Sequence, residues 1–295
     1  MAKITKAVIA VAGYGTRFLP ATKNQPKEML PIIDKPIVQY LVEEAVASGI
    51  KDIILVTRFG QSMMENHFDS NLELEIQLEK NGKRKRLEEV QRVYRMANYI
   101  YVRQGRHLPY GNGTPLICIK DLLNKGESFV YMFGDDLVKA KVPCTKQLIN
   151  YWKEKKQAPV VAVQEVPEEE VNRYGIYKIK AGTLDRVEHA VEKPDPKDVK
   201  KPYLATFGRF ILNDKIVQVL YSHYKAGRLG KDNELWLIDS IIEYAQKKPV
   251  YAKRIKGKWM TTGDPLRYMK TMVEFALDRP DLGPELKKYL KSLNL

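Results

Sequence analysis

Ala7-Val8-Ile9-Ala10-Val11-Ala12-Gly13-Tyr14-Gly15-Thr16-Arg17-Phe18-Leu19-Pro20, followed by Thr22-Lys23 and by Pro26-Lys27-Glu28-Met29-Leu30-Pro31, is the stretch on which the reading of this chain turns. Ala7 to Val11 is uncharged, partly β-branched and of strand length, as a buried strand requires. Gly13 and Gly15 then let the backbone turn tightly and bring its N–H groups close to an anion such as phosphate, while Arg17 and Lys27 add positive charge to the same loop. A dinucleotide-binding G-x-G-x-x-G would need glycine where Phe18 stands, and the Gly-Lys-Ser/Thr ending of a P-loop is absent, so hydride transfer and P-loop chemistry are not indicated. The helix after the loop is signposted by Asp34 as its cap, Pro36 in its first turn, an apolar stripe of Ile37, Tyr40, Leu41 and Ala45, and Gly49 at its end.

Outward from this unit, Ile53 to Val56, Phe129 to Phe133 and Val160 to Val163 repeat the buried-strand pattern, with helical periodicity between several of them. That alternation predicts an α/β fold with a mostly parallel sheet covered by helices on both faces. After about residue 170 the pattern changes to shorter extended pieces, Tyr174 to Ile179, Leu184 to Ala190 and Tyr203 to Leu212, between Gly and Pro turns; these are expected to add antiparallel strands that shape a pocket. One further helix carries Ile216, Val217 and Leu220. Another opens at Asp264-Pro265 with Leu266, Met269, Val273 and Ala276 on one face, and Glu285 to Leu293 reads as a terminal helix available to a neighbouring subunit.

Composition narrows the partners. Of 295 residues 44% are apolar and 29% charged, enough for a substantial core. The net charge of +14 suits nucleic acid, an anionic membrane or phosphorylated small molecules. No RNA- or DNA-binding motif accompanies it, and its densest cluster, Lys83 to Arg86, reads as an exposed helix face. No stretch approaches the roughly 20 apolar residues of a membrane span, and a cytoplasmic location is expected. Cys118 and Cys144 have no nearby metal-ligand partners and read as small buried apolar residues.

The opening segment closely resembles the signature of the bacterial and archaeal UTP:glucose-1-phosphate uridylyltransferases, within the sugar nucleotidyltransferase superfamily. The resemblance continues through Asp34-Lys35-Pro36, Gln39-Tyr40, Glu65-Asn66-His67-Phe68-Asp69, Val102-Arg103-Gln104-Gly105, Glu192-Lys193-Pro194 and Gly208-Arg209, so it spans nearly the whole chain. It implies a Rossmann-like three-layer fold with a mixed central sheet over residues 1–280, a nucleotide-binding half of about 1–140, a sugar-binding half of about 141–280 and a C-terminal helix over 281–295. Under it, Ala12, Gly13, Gly15 and Thr16 hold the triphosphate, and Gln104, Gly105, Gly111 and Gly113 surround the uracil, Gln104 having the amide donor and acceptor to read a base edge. Asp135 in Gly134-Asp135-Asp136 aligns with the Mg²⁺ ligand. Tyr174, Gly175, Glu192, Lys193 and Gly208 form the sugar-phosphate side. Arg17, Lys27, Asp135 and Lys193 are the residues expected to carry an in-line displacement that joins UTP to glucose 1-phosphate. The family commonly forms dimers or tetramers, so a homodimer or homotetramer is expected.

Three departures bear on this. Thr261 occupies the place of a second metal-ligating Asp, where Asp264 or a phosphate oxygen is left to compensate. Gly111-Asn112-Gly113-Thr114-Pro115 replaces a Gly-His-Ala ending, and Trp236 replaces a glutamine between Glu234 and Asp239. They leave open dTTP or another sugar 1-phosphate as substrate, and a catalytically weak nucleotide-sugar-binding regulator.

Overall fold

The first strand of the computed structural model, which describes residues 3–60 and 62–293, is β1 (Lys6–Ala10), and it sits at the centre of the sheet. A loop with two 3-10 turns and a short hairpin, β2 (Pro31–Ile32) and β3 (Lys35–Pro36), leads to α1 (Ile37–Ala47). Then come β4 (Asp52–Arg58), α2 (Met63–His67), α3 (Leu72–Lys80), α4 (Arg84–Arg95), β5 (Asn98–Gln104), α5 (Thr114–Cys118) and β6 (Ser128–Phe133). The remainder comprises β7 (Asp136–Lys139), α6 (Cys144–Glu154), β8 (Val160–Glu165), β9 (Gly175–Ile179), β10 (Val187–Glu192), β11 (Leu204–Asn213), α7 (Asp214–Lys225), α8 (Leu237–Lys247), β12 (Tyr251–Arg254), β13 (Lys258–Thr261), α9 (Pro265–Asp278) and α10 (Gly283–Ser292).

β1 pairs in parallel with β4 and β6, and β4 with β5, which gives the parallel core that the apolar runs call for. Strand alternation makes this core the middle of three layers. Val130 and Met132 of β6 join Ile9 under α1 and α6, whereas Phe129 and Tyr131 join Val8 under α7 and α8.

β11 couples the parallel core to the antiparallel half. One of its edges pairs with β8, and the other pairs with β6 over Arg209–Asn213 and with β9 at Leu204 and Ala205. Between these partners the register with β8 shifts, at Gly208, whose φ of 74° only glycine adopts readily and where a Cβ would lie 2.3 Å from Phe133 Cγ. The ends of β6 and β9 are thereby held apart along one edge of β11.

Some local expectations are corrected. Asp34 does not cap α1, whose N-cap is Pro36 without a side-chain bond; its carboxylate instead receives Arg279 Nη1 at 2.7 Å. Leu184 lies outside β10 and is 92% exposed. On α9, Leu266 and Met269 face solvent at 61% and 64% exposure, while Thr271 and Ala276 are buried and Tyr268 and Phe275 pack on the core. Cys144 is buried, Cys118 only half-buried. α4 carries the basic cluster with none of its residues buried, and α10 packs against α9 of its own chain. No helix among the described residues is long and apolar enough to cross a membrane.

Candidate active site

A cavity of about 640 Å³ opens where the C-terminal ends of β1 and β6 meet β9, β10 and β11. Open α/β sheets place ligands at such strand ends, where the topology switches. Ala12, Gly13, Arg17, Lys27, Gln104 and Gly111 line one side, Tyr174, Gly175, Glu192 and Lys193 the other, and Asp135 lies on the wall with them.

Gly15 stands at φ 64°, and its carbonyl accepts from Thr22 Oγ1 at 2.7 Å, which folds the loop back so that Arg17 and Lys27 face the strand ends. Arg17 Nη1 donates to Gly263 O at 3.3 Å. Lys27 Nζ donates to Asp135 Oδ2 at 2.5 Å. Burial opposes the charge on Lys27, yet the carboxylates of Asp135 and Glu28 outweigh it and hold the ammonium above the usual lysine range. For Asp135 burial likewise pulls the other way, and Lys27 with Arg17 holds it below the usual carboxylate range.

Two other acids flank this pair. Asp136 is nearly sealed, its Oδ1 accepting from Trp259 Nε1 at 2.7 Å, and burial together with the Asp135 charge pushes it up to about 7. Glu28 is 1% exposed, with Oε1 3.9 Å from Lys27 Nζ, and burial pushes it up to about 7 against the pull of that ammonium. β13 pairs with β7 so that Thr261 lies opposite Asp136, and Thr262 N and Oγ1 both donate to Asp135 O. Thr261 Oγ1 accepts from Gly263 N at 3.3 Å. Asp264 is fully engaged: it caps α9 through Arg267 N and receives Arg173 Nη2 and Arg267 Nη1, each at 2.9 Å.

In the loop of Gly111, a Cβ on that glycine would lie 2.3 Å from Leu235 O, and Asn112 Oδ1 accepts from Leu237 N at 2.8 Å. Asn112 therefore stitches this loop to the residues beside Trp236. The Tyr14 and Tyr110 rings stack at 5.6 Å, with the Arg58 guanidinium 4.7 Å from the Tyr14 ring centre, which links the glycine loop to the loop of Gly111. On the opposite wall, burial pushes Glu192 up to about 7 despite the neighbouring Lys193 charge. Lys193 Nζ is 3.8 Å from Glu234 Oε2, which also receives Trp236 Nε1 at 3.1 Å. A Cβ on Gly175 would come 3.0 Å from Glu192 Oε2, so glycine there leaves the carboxylate its place.

Gly15, Thr16, Gly105, Gly113 and Gly208 are not on the cavity wall. Gly113 N instead donates to Leu235 O at 2.9 Å, and Gly208 sits behind Phe133. Sequence reasoning gave no role to Glu28, Tyr110, Asn172, Arg173 or Glu234, all of which line it. Glu28 lay inside the quoted motif, and only its burial distinguishes it from a surface glutamate.

These features match known proteins. The family described as nucleotidyl transferase matches residues 6–276. A UTP–glucose-1-phosphate uridylyltransferase of Staphylococcus epidermidis is 41% identical over 297 residues, covering 100% of both chains. A UTP-bound UGPase of Acinetobacter baumannii superposes with a TM-score of 0.86 at 34% identity, covering 99% of this chain and 100% of that one. A UDP-glucose pyrophosphorylase complexed with UDP-glucose does so with a TM-score of 0.82 at 31% identity, covering 94% and 100%. The chain belongs to the nucleotidyl transferase family and, within it, to the UTP–glucose-1-phosphate uridylyltransferases.

Proposed function

We propose that this enzyme transfers the uridylyl group of UTP to glucose 1-phosphate, giving UDP-glucose and pyrophosphate. The observation that carries the reading is the single cavity that holds the Lys27–Asp135 pair on one side and Glu192–Lys193 on the other, in a chain whose relatives bear that activity in their names. A phosphate oxygen of the sugar phosphate attacks the α-phosphorus of UTP, the bond from that phosphorus to the oxygen bridging to the β-phosphate breaks, and pyrophosphate departs with the electron pair. Such a reaction calls for alignment and charge neutralisation rather than a general base.

Arg17 and Lys27 neutralise the triphosphate, Lys193 holds the sugar phosphate, and Glu192 accepts hydrogen bonds from sugar hydroxyls, with Tyr174 and Gly175 beside it. Gln104 and the Gly111 loop receive the base. The donor set of this wall, hard carboxylate oxygens beside phosphate-binding cations, suits a magnesium ion held by Asp135. Held there, Mg²⁺ would neutralise charge on the phosphates beside Arg17 and Lys27. Self-association as a homodimer or homotetramer is part of the same proposal, and light scattering after gel filtration would decide it. A cytoplasmic location belongs to the same proposal.

Comparing turnover of UTP and dTTP against several hexose 1-phosphates tests the substrate pair. UTP with glucose 1-phosphate should give the highest kcat/KM; a clear preference for another pair would overturn the choice while leaving the reaction class intact.

A further inference from the structure

Glu28 lies in the 3-10 turn Lys27–Met29 with 1% of its surface exposed, and its Oε2 is buried without any hydrogen-bond partner while the residue lines the cavity. A carboxylate kept out of water without a partner is costly, and such a group in a ligand cavity points to something it receives there. Its Oε1 shares the Lys27 ammonium with Asp135, at 3.9 Å and 2.5 Å respectively, so the two acids converge on one positive charge. Gly134, just before Asp135, makes this approach possible: a Cβ there would come 2.7 Å from Glu28 Cγ and 2.7 Å from Ala10 O.

The other oxygens nearby are already committed. Asp136 receives Trp259 at Oδ1 and is hydrogen-bonded to the Thr261 side chain, Asp264 receives two arginines and caps α9, and Thr261 offers only a neutral hydroxyl, itself engaged by Asp136 and Gly263 N. We propose that Glu28 is the second protein ligand of the divalent cation at Asp135, supplying the charge that Thr261 lacks. Two carboxylates with phosphate oxygens and water complete the oxygen shell that Mg²⁺ or Mn²⁺ takes. This rests on the uridylyl-transfer reading, in which a cation sits at Asp135.

The test is Mn²⁺ affinity, followed by EPR on the full-length enzyme saturated with an unreactive α,β-methylene analogue of UTP, for wild type, Asp135→Asn, Glu28→Gln and Glu28→Gln with Thr261→Asp. Each single substitution should weaken Mn²⁺ binding by about tenfold or more, and Thr261→Asp should restore much of it to the Glu28→Gln enzyme. Wild-type affinity in Glu28→Gln alongside a clear loss in Asp135→Asn would overturn the assignment of Glu28 and leave the cation at Asp135 standing. No loss in either would overturn both. If Glu28→Gln does not fold, pulsed EPR of Mn²⁺ bound to wild-type enzyme labelled with carboxyl-¹³C glutamate should show a ¹³C coupling, and its absence would equally reject the ligand.

Discussion

Arg209 forms a buried fork with Glu44: Nε and Nη2 each lie 3.2 Å from a carboxylate oxygen of α1, and none of the arginine is exposed. The same guanidinium donates to Asp136 O at 2.6 Å, Gly208 O at 3.1 Å and Phe133 O at 3.4 Å. Glu44 also accepts from Thr145 N and Oγ1. The Arg209–Glu44 pair thus ties α1, α6 and the bulge of β11 to the strand end that presents Asp135. Glu44→Gln leaves this guanidinium buried beside a neutral amide and should cost about 3–5 kcal/mol in denaturant unfolding, the usual cost of breaking a buried pair. A loss below about 1 kcal/mol would show that the carbonyls alone hold the arginine.

Glu192 predicts a pH dependence confined to the sugar side. Burial raises its pKa to about 7, so the carboxylate is charged and free to accept sugar hydroxyls above that pH and takes up a proton as pH falls through it. KM for glucose 1-phosphate should therefore rise toward acid more steeply in wild type than in Glu192→Gln, with KM for UTP unaffected by the substitution. Parallel profiles for the two enzymes would remove Glu192 from the sugar subsite.

Gly111→Ala tests how tightly the loop that the proposal gives to the base is fitted. Its φ is 129°, and the new methyl would meet Leu235 backbone atoms at 2.3 Å and 2.5 Å, in a loop already tied to that residue by Leu235 N→Tyr110 O at 2.6 Å. Backbone cannot yield as a flexible side chain does, so a loss of about 1–3 kcal/mol in stability and a raised KM for UTP are expected. Gly182→Ala, also at positive φ but with nothing within 4 Å, should cost only about 1 kcal/mol and leave KM unchanged. Equal effects of the two would mean that strain at φ, rather than the contact with Leu235, decides.

The parts of the site legible in the sequence were those where one residue type answers one local need: glycines in the Gly13 to Gly15 turn, cations beside it, and an acid at the end of an apolar strand. What escaped was set by partners far along the chain. Asp34 precedes a helix and has the chemistry of a cap, but Arg279 of the far terminus takes it. On α9 both faces carry apolar residues, and long-range contacts, among them those of the Tyr268 ring with Phe18 at 5.6 Å and the Phe275 ring with Tyr40 at 5.1 Å, select which is buried. The same holds for the departures at the active site. Asp264 has the chemistry to replace a missing carboxylate, but Arg173 and Arg267 take it, and Glu28 reads as any glutamate although Gly134, far along the chain, packs against its side chain.

Tyr110 joins the glycine loop to the loop of Gly111 by its ring, stacked on Tyr14 at 9° between planes, and by its hydroxyl, which accepts from Tyr14 N at 3.3 Å. Tyr110→Phe keeps the stack and should change KM for UTP little. Tyr110→Ala removes it, and with about 0.5–1.5 kcal/mol in such a pair KM for UTP should rise up to about tenfold. A larger effect of Phe than of Ala would contradict the stacking account.

The central claim is that the Lys27–Asp135 pair and Glu192–Lys193 serve one uridylyl transfer. Its most direct test is pyrophosphate release from UTP and glucose 1-phosphate with Mg²⁺, in wild type and in Asp135→Asn. The account predicts release that requires both substrates and falls at least about a hundredfold in the variant, the scale of losing a principal charge contact in a transition state. Absence of release from the wild-type enzyme, or undiminished release from Asp135→Asn, would contradict it.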